Sequence, residues 1–265
     1  MSTYIENLFS LKGKMVLITG AAGGIGSAFV KAMIEAGAKV ACCDINREGL
    51  ESLKETLGEN AIPFYLNMTE RDTFKETVEE IAQITGRIDV LINSAGINKR
   101  EGFVDVEEET YDRIMDINLK GAFFLTQEVA PYMKAQKAGS IINIGSHNTG
   151  AILGGVSVYG ASKSALMSLT RSQAVEWAKY NIRANCLSPG HIKTELTTVT
   201  WEHPQRSKYL LERIALDRPG YPEDLVGMAI LLASDASAYI TGQEFRIDGG
   251  FLAGGKPWEY DSRWT

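Results

Sequence analysis

The chain has 265 residues, 45% of them hydrophobic and 23% charged, with a formal net charge of -6. This is the composition of an ordinary globular domain, and an acidic balance without a basic run argues against a nucleic-acid partner. The apolar runs, such as "AILLA" at 229–233, fall far short of the roughly 20 residues a bilayer span needs.

The length suits one large α/β domain over 1–265. The opening "MSTYIENLFSLKGK" lacks the basic-then-apolar order of a secretory signal. Cys42, Cys43 and Cys186 form no C-x-x-C pair and read as buried thiols of a reducing, cytoplasmic setting. The histidines and cysteines show no zinc-ligand spacing, so no metal is expected.

Along the chain, short Val- and Ile-rich runs predict strands at 15–19, 39–43, 61–66, 89–93, 140–144, 182–187 and 244–248. Amphipathic patterns between them predict helices at 25–36, 47–57, 70–85, 107–117, 120–136, 158–179 and 222–233. Asn46 and Thr69 suit N-caps, Gly37 and Gly58 suit helix stops, and Pro222 suits a first turn. Strand–helix alternation throughout implies a doubly wound parallel sheet of about seven strands with helices on both faces. Residues 191–221 break the rhythm between the sixth and seventh strands. An insertion at a strand's carboxyl end is where a lid over a ligand belongs.

"ITGAAGGIGSAF" joins the first strand to the first predicted helix. Gly20, Gly24 and Gly26, with Ile25 among them, let the backbone turn tightly and approach a pyrophosphate. The N–H groups of the helix start then face the anion. Asp44 ends the second strand about 20 residues on, where a carboxylate can accept from a ribose 2′-hydroxyl. A carboxylate there repels a 2′-phosphate, and Ala21 and Ala22 offer no cation against it, so NAD is favoured over NADP. Arg47 keeps the alternative open.

"VYGASKSAL" sets Tyr159 and Lys163 one helical turn apart, on a shared face. Ser146 ends a strand shortly before, in "GSIINIGSHNTG", and Asn118 lies where two helical patterns meet. A free phenol with a pKa near 10 is a poor base at neutral pH. A neighbouring cation favours the phenolate. Tyrosine so tuned can take a hydroxyl proton while Ser146 holds the same oxygen.

The ordered set of T-G-x-x-x-G-x-G (19–26), "NSAG" (93–96), Asn118, Ser146, Tyr159 with Lys163, and "SPG" (188–190) resembles the short-chain dehydrogenase/reductase family from Leu11 to about Leu252. The resemblance implies a Rossmann-type domain, a nicotinamide cofactor and a catalytic set of Asn118, Ser146, Tyr159 and Lys163. By the same resemblance Lys163 reaches the nicotinamide ribose, and Asn118 holds a water linking Lys163 to solvent. Ala95 and Gly96 permit approach to the cofactor's ribose, and Asn93 stands in the same set with its side chain bridging strands. Asn67, where an aspartate is usual, accepts from the adenine amino group beside the Met68 backbone. Pro189, Gly190, Ile192 and Thr194 lie at the nicotinamide end, and Thr19 is structural.

Asn98, Arg100, His147 and His191 are candidate substrate contacts with Ser146, and Lys99, Asn148 and Lys193 lie near them. Cations meet a carboxylate, while amides and imidazoles meet hydroxyls. His203 is expected at the surface. Within the family the chain resembles the sugar-acid and polyol branch, such as gluconate 5-dehydrogenase and 2-deoxygluconate 3-dehydrogenase. The competing reading is a 3-oxoacyl-carrier-protein reductase, against which the acidic run "DVEEETYDRIMD" at 105–116 counts. A non-catalytic dinucleotide-binding regulator is the reading from another class. The tail, about 253–265, carries Trp258, Tyr260 and Trp264 and suggests docking at a subunit interface. The resemblance implies a homotetramer.

Overall fold

The computed structural model describes residues 3–256. Its strands are β1 (Met15–Thr19), β2 (Lys39–Asp44), β3 (Ala61–Tyr65), β4 (Val90–Asn93), β5 (Gly139–Ile144), β6 (Ile182–Pro189) and β7 (Glu244–Ile247). They form one sheet in the order β3-β2-β1-β4-β5-β6-β7, and every pairing is parallel. The order reverses between β1 and β4, so a crevice opens at their carboxyl ends, where such sheets bind ligands.

The helices are α1 (Tyr4–Phe9), α2 (Gly24–Glu35), α3 (Arg47–Leu57), α4 (Phe74–Thr85), α5 (Glu108–Met115), α6 (Ala122–Gln136), α7 (Ser157–Trp177), α8 (Thr198–Glu202), α9 (Pro204–Leu211) and α10 (Glu223–Ala233). Alternation along β1 shows why both faces need cover. Val16 and Ile18 pack with Phe29, Val30 and Met33 of α2 and Leu225 and Leu232 of α10. Met15 and Leu17 point the other way, into Phe74, Val78 and Ile81 of α4 and Leu125 and Val129 of α6. Burying a side chain of this kind stabilises by roughly 1.5–3 kcal/mol.

Several local expectations need correction. Thr69 does not cap the fourth helix. Its N–H and hydroxyl both donate to Asn67 Oδ1, and a 3₁₀ turn at Arg71–Thr73 delays α4 to Phe74. The patterns at 107–117 and 120–136 are one continuous helical run. A π-helical turn, Asp116–Gly121, joins α5 to α6. Asn46 does cap α3, accepting from the Gly49 N–H at 3.0 Å. Short helices α1, α8 and α9 lie outside the predicted set. Helix α1 carries no fully buried residue, only Leu8 and Phe9 being half-buried, and its start is closed by a Thr3–Glu6 capping box.

The 191–221 excursion holds α8 and α9 and is tied at its base. Lys193 N–H donates to Gly220 O at 2.7 Å, and Gly220 N–H donates to His191 O at 3.0 Å. Arg218 grips Asp224 of α10 at 2.7 and 2.8 Å, and this hydrogen bonding lowers the Asp224 pKa to about 2. The chain after β7 turns back onto the excursion. Leu216 N–H donates to Gly249 O at 3.1 Å, and Lys256 Nζ meets Asp217 at 2.5 Å. Trp258, Tyr260 and Trp264 of the predicted tail lie outside the described residues. Among the described residues, no helix is long and apolar enough to cross a membrane.

Candidate active site

At the end of β1 the backbone turns through Gly20, whose φ is +67°. A Cβ on Gly20 would sit 2.9 Å from Ala95 Cα, and one on Gly26 would sit 2.0 Å from Gly20 O. Those positions admit only glycine, because the loop folds back on the first turn of α2. No side chain caps that turn, so its N–H groups are left facing the crevice, as an anion site requires. A Cβ on Gly24 would meet the Thr194 side chain at 3.1 Å, which sets the start of the excursion against the glycine turn. The Ile25 side chain packs into the core. Ile192 is buried and bridges to Gly220, so the side chains of these two face the protein.

Asp44 ends β2 with both oxygens held by backbone. Oδ2 accepts from Ala22 N–H at 3.0 Å and Oδ1 from Asn46 N–H at 2.9 Å. The cradle fits a dinucleotide: a glycine turn, bare helix N–H groups and a fixed carboxylate one strand away. Asn67 is held by local hydrogen bonds. Its Oδ1 already accepts twice from Thr69, and its amide donates to Glu70 at 2.8 Å. Met68 packs against the π turn, where a Cβ on Gly121 would lie 2.7 Å from Met68 O. Thr19 Oγ1 accepts from Ser94 and Ala95 N–H at 3.1 Å each, the structural role expected of it. Asn93 bridges as expected, donating to Asn143 Oδ1 at 2.8 Å and Thr126 Oγ1 at 3.1 Å. Its side chain is thereby turned into the protein. Gly96, by contrast, is exposed, and a Cβ there would lie 3.3 Å from both Asn118 Oδ1 and Lys163 Nζ.

The π turn places Asn118 inward, where it clamps the loop after β4. Oδ1 accepts from Ile97 N–H at 2.8 Å, and Nδ2 donates to Ile97 O at 2.9 Å and Ser162 Oγ at 3.2 Å. Turns of this kind are frequent at functional sites. Ser162 in turn donates to Tyr159 O at 2.7 Å. Sequence reasoning missed Ser162, which sits inside the Y-x-x-x-K motif and was legible only as a small residue.

Lys163 is buried, with Nζ 2.8 Å from Ile144 O and 5.8 Å from the centre of the Tyr159 ring. Burial lowers its pKa from 10.5 to about 8, which leaves it cationic at neutral pH. Against the expected acidifying influence of Lys163 on Tyr159 stands the burial of the phenol. Burial raises the phenol's pKa, and the opposing influence is a hydrogen bond with Ser146. Ser146 thus both faces the reacting position and favours the phenolate.

Next to Ser146 lie two imidazoles. The His147 and His191 rings are 4.5 Å apart, and Phe251, after β7, packs on them at 5.4 and 5.0 Å. His147 Nδ1 lies 3.1 Å from Pro189 O. Burial lowers the pKa of both rings, that of His191 to about 3 with help from His147 and Arg100. Gly190 crosses the end of β7 too closely for a Cβ, which would come 2.5 Å from Asp248 Cα. Phe251 carried no signal in the sequence. Asn98 stays at the surface, and no contact draws it toward Ser146. Lys99 is spent on Glu101 at 2.6 Å and Thr110 at 3.1 Å. Arg100 is exposed, yet close enough for its charge to act on His191. His203 is exposed as expected.

A parallel sheet with a glycine turn at its switch point, and a Ser–Tyr–Lys cluster beside it whose serine and lysine are buried, defines a nicotinamide-dependent oxidoreductase of alcohol and ketone groups. A family model described as enoyl-(acyl carrier protein) reductase matches residues 20–252. A 3-oxoacyl-[acyl-carrier-protein] reductase from Thermotoga maritima is 44% identical over 91% of this chain and 99% of that protein. A 2-dehydro-3-deoxy-D-gluconate 5-dehydrogenase from Dickeya dadantii is 39% identical over 94% of this chain and 99% of that protein. Among solved structures, a gluconate 5-dehydrogenase from Burkholderia cenocepacia in complex with NADP and tartrate superposes with a TM-score of 0.90. It is 33% identical and covers 94% of this chain and 99% of its own. The chain belongs to the short-chain dehydrogenase/reductase family.

Proposed function

We propose that this protein oxidises a secondary hydroxyl of a sugar acid or polyol, or reduces the matching ketone, with Tyr159 as proton donor and acceptor. The nicotinamide, when bound, accepts or supplies the hydride. Tyr159 takes the proton from the hydroxyl, Ser146 holds the same oxygen, and Lys163 and Asn118 fix the surroundings of the phenol. The observation that carries the substrate class is the polar wall beside Ser146. His147, His191 and Asn148 bring imidazole and amide groups there, and Asn148 is buried, while Arg100 supplies a cation for a carboxylate. An acyl chain would want an apolar wall in that place.

The preferred dinucleotide is NAD, held by Gly20, Gly24, Gly26, Asp44, Ala95, Gly96, Lys163 and Thr194. Two features support this: the carboxylate fixed at the end of β2, and the stacking of Arg47 over the Tyr65 ring at 4.0 Å, which draws that cation away. The related gluconate dehydrogenase was crystallised with NADP, so both cofactors belong in the assay. The excursion serves as the lid. The working form is a cytoplasmic homotetramer, for which exposed Phe123 and Phe124 on α6 and Val175 on α7 offer apolar contact.

The second reading, a 3-oxoacyl-carrier-protein reductase, is favoured by the 44% identity to the Thermotoga enzyme. Turnover followed at the reduced-nicotinamide band, with aldonates, ketoaldonates, polyols and an acetoacetyl thioester, separates the two. Sugar acids are expected to give the highest kcat/KM, and Arg100→Ala to raise KM for them by about tenfold, a loss of about 1.4 kcal/mol. A higher kcat/KM on the thioester would transfer the assignment to the second reading.

A further inference from the structure

Two ring nitrogens beside Ser146 are buried without a hydrogen-bond partner among the described residues: Nε2 of His147 and Nε2 of His191. Buried polar atoms are seldom left so, because the desolvation is not repaid. For His147 the chemistry of the bare nitrogen follows from its other side. Nδ1 faces the Pro189 carbonyl at 3.1 Å, and a carbonyl only accepts. The proton therefore sits on Nδ1, and Nε2 of the neutral ring carries a lone pair. Burial keeps the ring neutral. Nε2 of His147 is thus an acceptor of fixed orientation, one residue from the serine that faces the reacting oxygen. His191 brings a second bare nitrogen on a ring 4.5 Å away.

We infer that these two imidazoles form a subsite for a second hydroxyl of the substrate, which donates its proton to Nε2 of His147 and accepts from the Nε2–H of His191, in the tautomer that carries the proton there. The subsite rests on the sugar-acid and polyol reading above and adds to it: the enzyme selects polyhydroxylated over deoxy substrates. A hydroxyl is the group that both donates and accepts, and Phe251 against both rings keeps bulk water from competing. A site built to hydrogen-bond a hydroxyl strongly rejects the analogue that lacks it, since the polar atoms are then left bare.

The test takes the sugar acid with the highest kcat/KM in the panel and each of its monodeoxy derivatives. In the wild type, removal of one hydroxyl away from the reacting carbon is expected to cost at least about a hundredfold in kcat/KM. In His147→Phe, which keeps a ring against His191 and Phe251 but removes the acceptor, that penalty is expected to shrink below about fivefold. His147→Gln, whose amide oxygen can accept, should restore part of it. His191→Phe carries the same comparison if His147→Phe does not fold. A wild type that tolerates every deoxy derivative would mark the pocket as a water site and overturn the inference while leaving the sugar-acid reading intact. So would a penalty that both phenylalanine variants retain. A panel in which no sugar acid or polyol turns over would remove both.

Discussion

The proton-transfer cluster and the histidine cluster flank the same serine and are satisfied in opposite ways. In the first, every polar group has a partner within the chain. Lys163 has Ile144 O, Asn118 has Ile97 and Ser162, and Ser162 has Tyr159 O. In the second, Nε2 of both rings has none among the described residues. A closed network holds its geometry before any ligand arrives, which is what proton transfer asks of its reacting groups. An open one leaves free energy to be recovered by whatever brings the missing partner. The contrast separates chemistry, built once and rigidly, from recognition, left to the substrate.

Removing the proton carrier tests the closed side most severely. Tyr159→Phe is expected to lower kcat by about 10³–10⁴-fold, with dinucleotide affinity by fluorescence titration unchanged within about twofold. Turnover near wild type would move the proton transfer elsewhere.

Lys163→Met probes the same network through stability. The ordinary lysine pKa is 10.5, and burial lowers it to about 8, so the folded protein holds this proton less tightly than the unfolded chain. The charge therefore opposes folding in full below about pH 8, and the opposition fades as pH rises toward 10.5. At about 1.4 kcal/mol for each pH unit the penalty is on the order of 3 kcal/mol, less what the lost Ile144 hydrogen bond contributed. Urea unfolding at pH 7 should find the methionine variant more stable and about a hundredfold slower in turnover. The stability gap should narrow in alkaline buffer. A less stable variant would mean that the lysine anchors the fold more than it strains it.

How much of this was legible beforehand follows the same divide. The apolar runs marked each of the seven strands to within two residues, most clearly in central strands such as β1 and β4, which are covered on both faces and have no polar side to blur their ends. The glycine turn, Asp44 and the Tyr159–Lys163 pair were readable because their chemistry lies in local spacing. Short helices were not. Helix α1 is only six residues long, with a capping box at its start, and α8 and α9 lie in an excursion whose tether, Gly220 against His191 and Lys193, is tertiary. Phe251 was invisible for a related reason. It reaches the histidines only because the Gly249 and Gly250 turn, with φ of +63° and +83°, folds the chain back from β7. The burial that raises the phenol's pKa was not legible, because motif spacing says which groups are near, not how deeply they are buried.

The smallest expected effect lies on the open side and concerns acid. His191 has an ordinary pKa of 6.5 that burial first, and then the neighbouring His147 and Arg100, lower to about 3. Between those values the unfolded chain binds a proton that the folded protein refuses, so the native state loses stability as pH falls from about 6.5 toward 3. His191→Gln takes up no proton in that range. Its urea midpoint should therefore decline less steeply with acidification than that of the wild type. Arg100→Ala isolates one of these three causes. With the cation gone the His191 pKa should rise toward its ordinary value, and the acid-sensitive window should narrow from its lower end. If Arg100→Ala leaves the window where it was, burial and the neighbouring His147 set it, and Arg100 stands too far from the ring to act on it.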